Sequence, residues 1–230
     1  MYKLIAIHPS LNSLILENIF KKPNVENILN NTVRPDFSKG HLSRNWNQGI
    51  INGFVNLNQP QADYVVLMQN DTFVKNNCFS LLKKYHEQYD FIQQGVGDQL
   101  MSFNVDAIKK MGIFDERFCS IGYQEADYFI NALMTNRDKI SINDNHHGRV
   151  YQPLREDFIE PEHSLNAQFH FTTYHEYNLK LLQTKWNNAH AYIFSTFLGN
   201  YNIKPHIKRY MYYPYFESDI LTLIDQNYFL

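Results

Sequence analysis

Apolar residues along the first two thirds of the chain are spaced in a way that predicts alternating strands and helices. Short apolar runs predict strands at residues 3–8, 30–35, 63–69, 91–97 and 99–104. Apolar residues at three- and four-residue spacing predict helices at residues 11–20, 42–57, 77–88, 105–112 and 123–136. Strands that alternate with helices of this length predict an α/β fold built on a mixed, mostly parallel sheet.

Two residues mark predicted helix ends. Ser43 is the predicted N-cap of the helix at 42–57, because a serine hydroxyl can accept a hydrogen bond from a free backbone N–H. Gly112 is predicted to end the helix at 105–112, since glycine readily adopts the left-handed backbone that follows many helices.

Beyond about residue 165 the pattern becomes helical and rich in aromatic residues, as at 174–186 and 189–201. We therefore predict a core domain at residues 1–160 and a helical C-terminal extension at 161–230 that packs on it. The tyrosine-rich stretch at 210–216 suits an acceptor surface or an oligomer interface. Ordinary core packing explains the same residues at least as well.

The composition narrows the class of protein. The 230 residues are 44% hydrophobic with a formal net charge of −2, which argues against a bulk electrostatic grip on nucleic acid or an anionic membrane. No run of 18 apolar residues predicts a membrane span. Cys78 and Cys119 do not make a disulfide framework, and the first residues do not resemble a signal peptide. We expect a soluble, cytoplasmic protein.

Polar side chains follow the predicted strand at 63–69 where it leaves the core. Gln69, Asn70 and Asp71 stand there, and ligands of α/β sheets bind beyond the carboxyl ends of the strands. A carboxylate at this place suits Mg²⁺ or Mn²⁺, which prefer oxygen ligands. A turn that caps the next helix explains the same residues equally well.

Two further groups carry candidate chemistry. Glu125 and Asp127 lie in the predicted first turn of the helix at 123–136, where a carboxylate could take a proton from an attacking hydroxyl. Ordinary acidic enrichment of a first helical turn is the somewhat better explanation. His146 and His147 precede a glycine and could bind a metal or touch a phosphate, although most paired loop histidines do neither.

Three stretches resemble inverting nucleotide-sugar glycosyltransferases of the GT-A fold, in glycosyltransferase family two and its rhamnosyltransferase-like members. They are residues 47–54, 63–82 and 100–133. The last is the most specific, because "GIFDERF" is followed seven residues later by an acidic pair. The likeness covers about residues 3–150.

The resemblance implies a role for each matching residue. Asp71 would hold the metal ion, with Asn70 and Gln69 beside the ribose or diphosphate. Glu125 matches the family's base and Asp127 its next acid, and which of the two removes the proton stays open. His147 matches a late histidine near the metal. The remaining residues implied in nucleotide-sugar binding are His8, Pro9, Ser10, Asn12, Arg34, Asp36, Asn47, Gly97 and Asp98.

The family implies transfer of a sugar from a nucleoside-diphosphate sugar to a hydroxyl of a glycan or glycoconjugate, with inversion. Uridine diphosphate is the family's commonest carrier, and Mn²⁺ or Mg²⁺ would neutralise the leaving diphosphate. Two alternatives stay open. Gln69 and Gln124 replace acids of the family, which suits a catalytically silent GT-A-like domain that binds a carbohydrate or a protein. A sugar-phosphate nucleotidylyltransferase is less favoured, because residues 8–16 contain no glycine, lysine or arginine.

Overall fold

The computed structural model describes residues 4–8, 25–29, 42–68, 72–94, 99–118, 122–136, 146–153, 155–158 and 175–186. The described strands are β1 (Leu4–His8), β2 (Val25–Leu29), β3 (Tyr64–Met68), β4 (Phe91–Gln93), β5 (Leu100–Asn104), β6 (His146–His147) and β7 (Val150–Tyr151). The described helices are α1 (Leu42–Phe54), α2 (Cys78–His86), α3 (Val105–Met111), α4 (Gln124–Thr135), α5 (Arg155–Phe158) and α6 (His175–Lys185). The predicted mixed α/β fold is confirmed.

The strands form two sheets. β1 and β2 make a parallel pair, and the other five strands are ordered β3-β5-β4-β7-β6. Within the five-stranded sheet only β4 and β7 pair in parallel, and the other three pairings are antiparallel. The expectation of a mostly parallel sheet is therefore wrong for the described strands. For two of these three pairings the reason is that the links from β4 to β5 and from β6 to β7 are too short for the crossover that parallel neighbours need.

The five-stranded sheet carries an apolar cluster on each face, because successive side chains of a strand point to opposite sides. Phe91, Phe103 and Val150 belong to the larger cluster, with residues of α1, α3, α4 and α6. Ile92 and Leu100 belong to the smaller cluster, with residues of α2 and α5. The helix α6 is part of the larger core, which holds its side chains in the same layer as those of α4.

The described helices follow the predicted periodicity. Gly112 ends α3 as predicted, with φ 77° and its N–H donating to the Ile108 carbonyl at 2.9 Å. Ser43 is not an N-cap, because α1 begins at Leu42 and Ser43 is buried inside the helix. The strand β2 was not predicted, and the predicted elements at 11–20 and 30–35 lie outside the described residues. No described helix has the length and apolar character needed to cross a membrane.

Candidate active site

The turn before α4 has an unusual backbone. Gly122 has φ 116° and Tyr123 has φ 70°, so two successive residues adopt positive φ. This conformation is costly for a residue with a Cβ and persists where the surroundings enforce it. The first α-helical hydrogen bond follows at once, from Asp127 N to the Tyr123 carbonyl at 2.9 Å. Both candidate acids, Glu125 and Asp127, therefore sit on a sharply defined turn.

Asp127 is held by the last residue of α6 and the residue that follows it. Its side chain is 1% exposed, and its Oδ2 accepts a hydrogen bond from Lys185 Nζ at 2.8 Å. Its Oδ1 accepts one from Trp186 Nε1 at 2.7 Å. Because both oxygens accept hydrogen bonds inside the core, this carboxylate is poorly placed to take a proton from a substrate. Glu125, two residues earlier, is only half-buried.

Lys185 binds a second buried acid. Its Nζ donates to Asp115 Oδ2 at 2.8 Å, and Arg117 Nε donates to Asp115 Oδ1 at 2.9 Å. Burial opposes the charged form of Asp115, but the pairing with Lys185 and Arg117 outweighs it and lowers the pKa of Asp115. The "GIFDERF" motif thus supplies a carboxylate that anchors α6 beside α4.

Asn47 fixes the same motif from the other side. Its Nδ2 donates to the Phe114 carbonyl at 2.9 Å and to Glu116 Oε1 at 3.0 Å, while its Oδ1 accepts from Phe114 N at 2.8 Å. The side chain is completely buried. The amide of Asn47 is therefore engaged in joining α1 to residues 114–116, which is not the contact with the nucleotide sugar that the sequence suggested.

The histidines lie at the far edge of the sheet. The ring of His147 is 2% exposed and meets the Phe129 ring edge-on, with centroids 6.2 Å apart. Tyr89 Oη and His146 Nδ1 lie 2.5 Å apart, and the His146 ring stacks on Tyr151. β6 and β3 are the two outermost strands of the sheet, so the structure does not bring His147 to the carboxyl end of β3. Within the described ranges no three His, Cys, Asp or Glu side chains gather as a metal site.

Most of the other predicted ligand residues lie outside the described ranges. His8 ends β1, where only its backbone is described. The residues outside the described ranges are Pro9, Ser10, Asn12, Arg34, Asp36, Gln69, Asn70, Asp71, Gly97 and Asp98. Thr72 Oγ1 donates to the Gln99 carbonyl at 3.0 Å, which joins the segment that follows Asp71 to the segment that precedes β5.

Sequence reasoning missed the residues that organise this site. Lys185, Trp186 and Asp115 were not singled out, although Asp115 lies within the motif that carried the resemblance. No local signal in the sequence pairs them, because Lys185 lies 70 residues from Asp115.

Comparisons with known proteins add no family assignment. The chain matches no protein-family model, no curated protein and no solved structure. The likeness to glycosyltransferases stays a prediction from the sequence.

Proposed function

We propose that the chain is an inverting, metal-dependent glycosyltransferase of the GT-A fold. It transfers a sugar from a nucleoside-diphosphate sugar, with a UDP-sugar favoured, to a hydroxyl of a glycan or glycoconjugate. One observation supports this most: the first turn of α4 is anchored in the core through Asp127, while Glu125 on the same turn is only half-buried. A rigid turn that presents a carboxylate is what proton removal from an acceptor requires.

Glu125 is the better base of the two acids. Residues two apart on a helix are separated by about 200° around its axis, so they point to nearly opposite sides. Asp127 faces Lys185 and Trp186, which leaves Glu125 directed away from that pair. Glu125 would accept the proton of the acceptor hydroxyl while the new bond to the anomeric carbon forms and the nucleoside diphosphate leaves.

The metal contribution depends on Asp71. A divalent ion held there would neutralise the negative charge that develops on the leaving diphosphate. His147 does not fit as a second ligand. It belongs to β6, at the opposite edge of the sheet from β3, and its ring packs against Phe129 of α4. We therefore assign His147 no metal contact.

The test is release of nucleoside diphosphate from UDP- and GDP-sugars in the presence of Mn²⁺ and an alcohol acceptor. Glu125→Gln should lower kcat by about 10²-fold or more at an unchanged melting temperature. Asp71→Ala should abolish the metal-dependent release. Glu176→Gln, on the exposed side of α6, is the matched control and should behave as wild type.

Two results would contradict the proposal. One is wild-type activity in both Glu125→Gln and Asp71→Ala. The other is a wild-type protein that releases nothing from any donor, and this second result would favour a silent carbohydrate- or protein-binding domain.

A further inference from the structure

Helix α6 contacts the turn that begins α4 at two separate points. Asn178 Nδ2 donates to the Gly122 carbonyl at 3.1 Å, just before the helix. Lys185 Nζ and Trp186 Nε1 bind the Asp127 carboxylate within its first turn. The two contacts thus lie on either side of Glu125 in the sequence.

One face of α6 is built for these contacts. Asn178, Leu182 and Lys185 follow one another at spacings of four and three residues, which places them on the same side of a helix. All three are buried, with Leu182 in the larger apolar cluster. Lys180 and Thr184, between them in sequence, are exposed. The helix α6 therefore buries one amide group and one ammonium group at the place where α4 begins.

We propose that Asn178, Lys185 and Trp186 are positioning residues that hold residues 122–127 in the conformation that presents Glu125. This rests on the proposed role of Glu125 as the base. The backbone supports it, because Tyr123 at φ 70° needs surrounding contacts to keep a conformation that is unfavourable in an isolated chain. The contacts from α6 fix the carbonyl before Tyr123 and the carboxylate four residues after it.

Two mild substitutions separate positioning from general stability. Trp186→Phe keeps a large ring in the core but removes the N–H that binds Asp127. Asn178→Leu keeps the branched shape and the number of heavy atoms of the side chain but removes the donor to the Gly122 carbonyl. Lys180→Ala changes the exposed side of the same helix and serves as the control.

The experiment measures amide hydrogen exchange and steady-state kinetics on the full 230-residue chain. Each mild variant should accelerate exchange at residues 122–127 by about fivefold, the effect of losing one buried hydrogen bond of average strength. Exchange in β4 and β5 should keep its wild-type rate. In the same variants kcat should fall about tenfold while KM for the donor sugar stays unchanged, and Lys180→Ala should alter neither.

Three outcomes would overturn the inference. They are unchanged exchange at residues 122–127, equal acceleration throughout β4, β5 and the turn, and faster exchange at the turn with wild-type kcat. If the wild-type protein transfers no sugar, the proposed function fails, whereas the exchange pattern still decides whether α6 holds this turn.

Discussion

Replacing Lys185 with methionine should destabilise the protein far more than the same replacement at Lys110. Lys185 Nζ lies 2.8 Å from Asp115, and Lys110 Nζ lies 2.7 Å from Asp90, so the two pairs have nearly the same length. Their surroundings differ, since the Lys185 side chain is 1% exposed and that of Lys110 is 51% exposed. If the N–O distance set the loss of stability, the two lysine replacements would have equal effects. If burial of the lysine sets it, their effects should differ widely.

The magnitudes follow from what replaces each ammonium group. Without Lys185, the Asp115 and Asp127 carboxylates stay in the core without their shared cation, and losing one partner of a buried ion pair costs about 3–5 kcal/mol. Lys110 is half-exposed, and without it the buried Asp90 keeps its hydrogen bonds from Arg149 and Asn104. The cost should therefore be closer to that of an exposed pair, about 0.2–1 kcal/mol. We therefore expect about 3 kcal/mol or more for Lys185→Met and less than about 1 kcal/mol for Lys110→Met.

Urea unfolding followed by circular dichroism measures both values, provided that the slope with denaturant is unchanged. The loss in Lys185→Met should also depend on pH. In the wild type the pKa of Asp115 is below its unfolded value, so its contribution is complete above about pH 4 and is lost as pH falls further. Without Lys185 the pKa of Asp115 is depressed less, so the stability deficit of the variant should shrink as pH falls below about 4. The reasoning would be refuted if the two lysine variants lost equal free energy of unfolding. It would also be refuted if the stability deficit of Lys185→Met did not change with pH.

Three further predictions concern other parts of the fold. Gly53→Ala should destabilise the protein by about 1–2 kcal/mol in urea titrations despite the better helix propensity of alanine, because the added Cβ would overlap Val65 Cγ2. If the combined Gly53→Ala and Val65→Ala variant loses as much free energy of unfolding as the two single variants added together, this overlap does not exist. Burial raises the pKa of the Cys78 thiol to about 11, so native Cys119→Ser protein should resist iodoacetamide until it unfolds, and rapid alkylation seen by mass spectrometry would contradict this. Burial lowers the pKa of His86 and outweighs the backbone hydrogen bond at Tyr89 and the charge of Asp90, which raise it. The free energy of unfolding should therefore fall as pH drops below about 6.5. His86→Gln should reduce this pH dependence in urea unfolding at several pH values, and an equal pH dependence in wild type and variant would count against the prediction.

The sequence predicted helices and strands well where the information is local. Trp46, Ile50 and Phe54 recur at four-residue spacing, and all three are buried on one side of α1. The run at 64–68 forms a strand because its side chains alternate between the two apolar clusters. Such periodicity depends only on neighbouring residues, so it can be read without the fold.

The direction of the strands depended on information that periodicity does not contain. Helices between strands suggested crossovers, yet β5 lies between β3 and β4 and runs against both. β6 and β7 have two residues each, which is too short for an alternating pattern to be detected. Pairing over such distances is set by tertiary contacts.

The role of Lys185 was equally inaccessible to sequence reasoning. A lysine in a polar helix normally extends into water, and nothing near it in sequence indicates burial. Its partner Asp115 lies 70 residues away. Only the packing of α6 against α4 shows that this lysine neutralises two acids of the core.

The acidic pair of α4 shows that a match to a sequence motif does not by itself tell which acid removes a proton. The sequence favoured Glu125 only slightly over Asp127 as the base, but a two-residue separation on a helix turns one acid inward and leaves the other half-buried. Loss of Asp127 would remove the partner of Lys185 and Trp186, so an inactive Asp127 variant could be inactive because its turn is displaced. Loss of Glu125 keeps the contacts of Lys185 and Trp186 with Asp127. An acid of this motif can therefore be counted as a base only when its removal lowers kcat without changing the unfolding free energy, a condition that Asp127 is not placed to meet.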